Sequence, residues 1–311
     1  MSTFLRSSAL LSIAIVAAPA GCASPAPPIE APLLPEVDRS GGPSAPIARG
    51  TPPPSEAPTP RHDDESIDVT VRSAVLEKTG RIDTPDAALF RSANDALARR
   101  DLTAARKSYF DLIKTYPSSP LMPYAYVAFA DMFFDEARSD PSKLALAKQA
   151  YVEAIKYPPP SNEMYAYALH RAGIVAGKSG DHMPALDFQK KAIGALVQYR
   201  EVAARDALLA SARHEIVGAY ANAGSPDKAL VFFKAVEPDT ASAQVLALGE
   251  EYARTGKVRE TIAAYEVALK GGKTDAACAS ADASYKTLAS RVGADAALVA
   301  RAEQQRQTLC R

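Results

Sequence analysis

The residues that could do chemistry in this chain are few and scattered. His214-Glu215 opens the pattern of a helical zinc hydrolase, in which two histidines one turn apart hold the metal and the glutamate activates water, but the second histidine's place is taken by Gly218. Gly271-Gly272-Lys273-Thr274 ends like a phosphate-cradling loop, yet the leading glycine's place is Val267 and the segment follows a helical pattern instead of a strand. His62-Asp63-Asp64-Glu65 sets one imidazole among three carboxylates. Such a group binds metal only where a fold holds it, and at the end of a proline-rich run it reads as solvated charge. The four histidines do not cluster, no cysteine pair has metal-ligand spacing, and there is no Gly-x-Ser-x-Gly turn. No cofactor or metal is therefore expected. The 36 basic and 36 acidic side chains cancel, which removes the electrostatic case for nucleic-acid binding.

One cysteine stands in a chemical context of its own. Met1 to Ala20 carries a single positive charge at Arg6 and an apolar run from Ala9 to Ala18, too short to span a membrane and suited to a secretion signal over residues 1–21. The run ends in Pro19-Ala20-Gly21-Cys22, which looks like a bacterial lipobox, with Pro19 where that motif prefers Leu. The resemblance implies that Cys22 is acylated and becomes the first mature residue; ordinary cleavage after Ala20 is the alternative. Lipidation of Cys22 would leave an even pair, Cys278 and Cys310, in an oxidising compartment. Several acyl chains, at about 0.8 kcal/mol per buried methylene, would anchor the protein permanently. Ala23 stands where inner-membrane lipoproteins commonly carry Asp, so the resemblance implies an outer-membrane lipoprotein facing the periplasm.

Residues 22–65 are dense in Pro, Ala, Ser and Gly, with too little large apolar surface to offset chain entropy. At about 3.1 Å per residue such a tether reaches up to roughly 130 Å. Residues 66–86 read as a short connecting segment, where Ile67-Val69-Val71 alternates like a strand but is too short to found a sheet.

From residue 87 to 270 the apolar residues recur at helical spacing, and a two-helix pattern repeats about five times. The second helices read Ala105-Tyr109-Leu112, Ala147-Tyr151-Ala154, Ala185-Gln189-Ala192, Ala229-Phe233-Val236 and Thr261-Tyr265-Ala268. The clearest first helix reads Val245, Leu248, Gly249, Tyr252, with Gly256 at the turn. Small residues at these crossings let helix axes approach to about 8–10 Å while large ones fill the adjoining grooves. The pattern resembles the tetratricopeptide repeat family over roughly residues 85–270. That resemblance implies an all-α fold: a right-handed superhelical solenoid of about five helix pairs, closed by a helical cap over residues 271–311. The cap reads as a hairpin, Ala276–Arg291 and Asp295–Leu309, turned at Gly293. Cys278 and Cys310 lie at matched distances from that turn, so antiparallel helices would bring them to nearly the same height, within reach of a disulfide.

In the family the first helix of each pair lines a concave groove. Carried onto this chain, that selects Phe90, Asn94, Tyr124, Asp131, Tyr167, His170, His214, Asn222, Glu250 and Arg254, a mixed aromatic and polar surface of the kind that recognises protein. His170 and His214 take equivalent places in successive repeats. The expected function is an envelope-anchored scaffold that is not an enzyme, binding a protein or peptide partner in the cell envelope and touching the membrane through its lipid alone, in envelope assembly or cell-wall coordination. The alternative is an envelope enzyme such as a wall hydrolase, for which only Glu250 with Asp131 or the histidines could serve as acid and base.

Overall fold

The computed structural model describes residues 64–269, 275–290 and 295–310. The secretion signal, Cys22, most of the tether and the Gly293 turn lie outside them. The described residues contain no strand and form thirteen α-helices. These are α1 (Asp64–Thr79), α2 (Pro85–Ala98), α3 (Leu102–Thr115), α4 (Met122–Glu136), α5 (Lys143–Ile155), α6 (Tyr165–Lys178) and α7 (His182–Gln198). They continue as α8 (Arg205–Ala223), α9 (Ala229–Val236), α10 (Ala241–Arg254), α11 (Val258–Leu269), α12 (Asp275–Ala289) and α13 (Ala296–Leu309), with single 3-10 turns before α9 and α10.

Most helices pack on a chain neighbour: α2 on α3, α4 on α5, α6 on α7, α10 on α11 and α12 on α13, while α5 meets α6, α7 meets α8 and α1 approaches α8. The crossings are made by the residues whose spacing marked them. Ala105, Tyr109 and Leu112 of α3, and Ala147, Tyr151 and Ala154 of α5, are wholly buried, as are Phe233 of α9 and Tyr265 of α11. Gly249 shows why one such position is glycine: a Cβ there would stand 2.8 Å from Tyr265 Cε1, so the α10 backbone lies directly on the α11 ring. The turns divide. Gly180 and Gly256 take the left-handed backbone (φ 78° at each) that glycine adopts without strain. Gly224 is instead extended, and its smallness serves the Tyr220 ring, whose Cε1 would be 2.4 Å from an added Cβ. Asp101 starts α3 by accepting a hydrogen bond from the Ala104 amide at 3.0 Å.

One segment differs from the sequence expectation. Residues 64–79 are helical, not a connecting stretch with strand character, because Ile67, Val71 and Val75 recur one helical turn apart and are buried together. The cap hairpin is present, with Asp295 accepting from the Ala297 amide to begin α13. Cys278 and Cys310 are joined by a disulfide across it, with their Cα atoms 4.8 Å apart. No helix among the described residues is long and apolar enough to cross a membrane.

Candidate functional site

The most developed polar constellation lies between α1 and the helices it covers. Asp68 and Arg72, one turn apart on α1, flank the buried row of Ile67, Val71 and Val75. An Arg72 Nη lies 2.8 Å from Asp131 Oδ2 of α4, an ion pair. Asp68 Oδ1 lies 2.8 Å from the Tyr167 hydroxyl of α6, and its Oδ2 lies 3.5 Å from an Arg171 Nη. At the far end of the helix Lys78 pairs with Glu163. Both charges thus meet α4 and α6, the first helices of their pairs, while α1 also approaches α8 and its Val75 and Leu76 border a cleft against Phe90 and Leu97 of α2.

Below α1 the network continues without it. Asp131 is 2% exposed; its Oδ1 accepts from the Tyr151 hydroxyl at 2.5 Å and lies 3.2 Å from the Tyr167 hydroxyl. Tyr167 has one proton to give, so it serves Asp68 or Asp131 at any moment. Arg171 Nε donates to the Tyr151 oxygen at 3.3 Å and stands 3.9 Å from Asp131 Oδ1. Its guanidinium lies 4.4 Å above the Phe134 ring, a desolvated cation–π contact.

Two carboxylates and two guanidiniums alternate in this space, so the buried charge sums to zero. Burial raises the Asp68 carboxyl above the ordinary carboxylate range; Arg171 opposes that shift and Asp131 adds to it. Burial, with Asp131 adding, drives the Tyr151 and Tyr167 hydroxyls well up, keeping both protonated as donors. Asp131 raises Arg72 further against the cost of burial. Chemically, this is apparatus for recognition: fixed donors and acceptors that register one helix on others. No group of three or more His, Cys, Asp or Glu side chains among the described residues is arranged to hold a metal ion.

No family profile and no curated protein sequence matches this chain.

The residues assigned to a groove fall into two sets. Phe90, Asn94, Tyr124, Asp131 and Tyr167 gather beside or beneath α1, and several are buried where an open groove wall was expected. Phe90 packs edge-on against Tyr109 with ring centroids 5.9 Å apart, and Tyr124 is tilted against it at 6.4 Å. Asn94 donates to the Phe90 carbonyl at 2.7 Å and accepts from the Tyr109 hydroxyl at 2.9 Å. Tyr167 and Asp131 are closed off by α1 itself. His170 turns away from this site altogether. Its Nδ1 lies 2.9 Å from Gln189 Oε1, and its carbonyl accepts from Gln189 Nε2 at 3.0 Å, so it belongs to the α6–α7 seam.

The second set, His214, Asn222, Glu250 and Arg254, is exposed on α8 and α10. Asn222 takes a contact from Lys257 at 3.4 Å, and Arg254 pairs with Glu251 at 2.7 Å. His170 and His214 therefore occupy unlike surroundings despite equivalent register. Sequence reasoning missed Asp68, Arg72 and Arg171, and it placed Tyr151 only in a packing seam. The signal for the first two was present: an acid and a base four residues apart beside an apolar row of the same period.

Proposed function

We propose that this protein is an interaction scaffold of the cell envelope, a tetratricopeptide-like solenoid of about five helix pairs that binds a protein or peptide partner with the face shared by its first helices. The supporting observation is that α4 and α6 present Asp131, Tyr167 and Arg171 on one surface, and that this surface already holds a helix. A surface that orders one amphipathic helix through buried apolar residues and matched charges has the chemistry of helix-in-groove recognition. The exposed residues of α8 and α10 would extend that surface past the end of α1. In this reading Cys22 carries the lipid, the proline-rich tether supplies reach from the outer membrane, and the Cys278–Cys310 disulfide suits the oxidising periplasm.

The test is chemical cross-linking in intact cells followed by affinity recovery, alongside membrane fractionation. A discrete envelope protein should co-purify with wild-type protein, and Cys22→Ala should release the chain from membranes or block its processing. A wild-type mature chain that begins at Gly21 and remains soluble would contradict the anchor. Recovery of the chain alone under conditions that cross-link known envelope complexes would contradict the scaffold.

A further inference from the structure

We propose that the face shared by α4 and α6, flanked by α2 and α8, reads a helix code, that α1 is its resident occupant, and that its partner is an amphipathic helix carrying three apolar residues one turn apart with a guanidinium beside the middle one. This rests on the scaffold reading and specifies its ligand.

Three observations carry it. First, α1 is held by one narrow stripe. Ile67, Val71 and Val75 are buried with Thr79 continuing the row, whereas Val69 and Leu76, at 60% and 38% exposure, lie outside it. Arg72, beside the middle apolar residue, reaches Asp131 at 2.8 Å.

Second, the floor stays paired without α1. Asp131 keeps the Tyr151 and Tyr167 hydroxyls and the nearby Arg171, and Arg171 keeps Tyr151 and the Phe134 ring. Departure of α1 therefore strands no buried charge, and the occupant is exchangeable without the penalty that usually locks a buried pair.

Third, α1 fits its seat incompletely. A cleft runs along one side between Leu76, Phe90, Asn94 and Tyr124, and another along the other side between Ala74, Glu163, Arg200 and Glu201. Arg72 Nε is buried with no hydrogen-bond partner among the described residues. A helix with bulkier flanking side chains, or one whose guanidinium leaves no buried donor unpaired, would seat better than α1 does. What keeps α1 in place is proximity. Only residues 80–84 join it to α2, so its effective concentration at the groove is on the order of millimolar, and a partner must outcompete that.

The probe is a fluorescent peptide of residues 64–79, titrated into the full chain and into the full chain carrying Arg72→Ala with Val75→Ala, which loosens the resident helix. Hydrogen exchange of residues 64–79 reports whether that helix has been released, and a thermal melt confirms that the remaining helices persist. The peptide should bind the released variant at least tenfold more tightly than it binds wild type. On that same variant, a peptide bearing Arg72→Ala should bind about threefold more weakly than the native one, the loss expected of a half-exposed ion pair. Equal affinity for the two proteins, equal affinity of the two peptides, or no binding to a variant whose residues 64–79 exchange freely would each overturn the proposal. If the pair leaves the helix protected, Ile67→Ala is added, and protection that survives all three changes overturns it as well. Because the assay uses this chain alone, its failure is distinct from failure to find an envelope partner in cells.

Discussion

Replacing Asp131 tests whether α1 is seated as described. Asp131→Ala removes a carboxylate that is 2% exposed, accepts from Tyr151 at 2.5 Å and pairs with Arg72 at 2.8 Å, with Arg171 at 3.9 Å. Breaking a buried charge pair by deleting one partner costs about 3–5 kcal/mol, because the other charge remains without its counterion. Here the Arg72 side chain is 40% exposed, so water screens that contact and it contributes little. Most of the loss falls on Arg171, left with only Asp68 for a counterion, and on the two tyrosine hydroxyls, so about 3 kcal/mol is expected. Asp131→Asn keeps an acceptor for Tyr151 and should cost about half as much. Asp111→Asn removes the exposed Lys107–Asp111 pair and should cost no more than about 0.5 kcal/mol. Urea titration followed by far-UV circular dichroism measures the three variants, provided the slope with denaturant stays constant. Hydrogen exchange should place the change in α1, α4 and α6. An Asp131→Ala variant that loses under about 1 kcal/mol, in the range of an exposed ion pair, would refute a desolvated network beneath α1.

Other consequences are independent of that one. Gly249→Ala puts a methyl 2.8 Å from the buried Tyr265 ring and should destabilise the α10–α11 pair by about 1–3 kcal/mol, read by local exchange. Cys310→Ser opens the loop closed by the Cys278–Cys310 bond, 32 residues apart, and should cost about 3–4 kcal/mol, with α13 exchanging before the rest. Burial raises the Asp68 pKa, so the folded state binds its proton more tightly than the unfolded chain. Stability tied to that group is greatest below the usual value of 3.8 and falls as pH rises through the raised folded value. Glu237, lowered by its hydrogen bond from Arg213, has the opposite sign and loses its contribution below about pH 4.5. Acidification from neutral pH should therefore tighten the amides of α1 before it loosens the contact between α8 and the α9–α10 connection, and uniform loosening from the start would contradict both assignments.

The helix pairs were legible because their signal is local and repeated. A small residue, a ring four places on and a small residue three further leave few packings for Ala147, Tyr151 and Ala154 other than a helix crossing. What stayed hidden depends on contacts between residues far apart in the chain. Ile67-Val69-Val71 satisfies a strand's period as well as Ile67-Val71-Val75 satisfies a helix's, and only the longer row, extended by Asp68 and Arg72, separates them. Nothing local to Asp131 or Tyr167 announces that residues 64–79 lie over them. The family register placed both on the first-helix face, and their burial follows from an occupant that the register does not include. His170 failed for a different reason. Gln189 stands where the pattern puts a ring, and its amide reaches both the imidazole and the main chain of His170, drawing that side chain into the seam.

The central claim, that partners engage the face of the first helices, is tested most directly by a photo-activated cross-linking residue placed in cells at Glu250 of α10, with a second placed at Val231 of α9 as the outward control, 74% exposed. The account predicts one discrete protein adduct from position 250 and none from position 231. An adduct from 231 alone, or the same adducts from both, would contradict it.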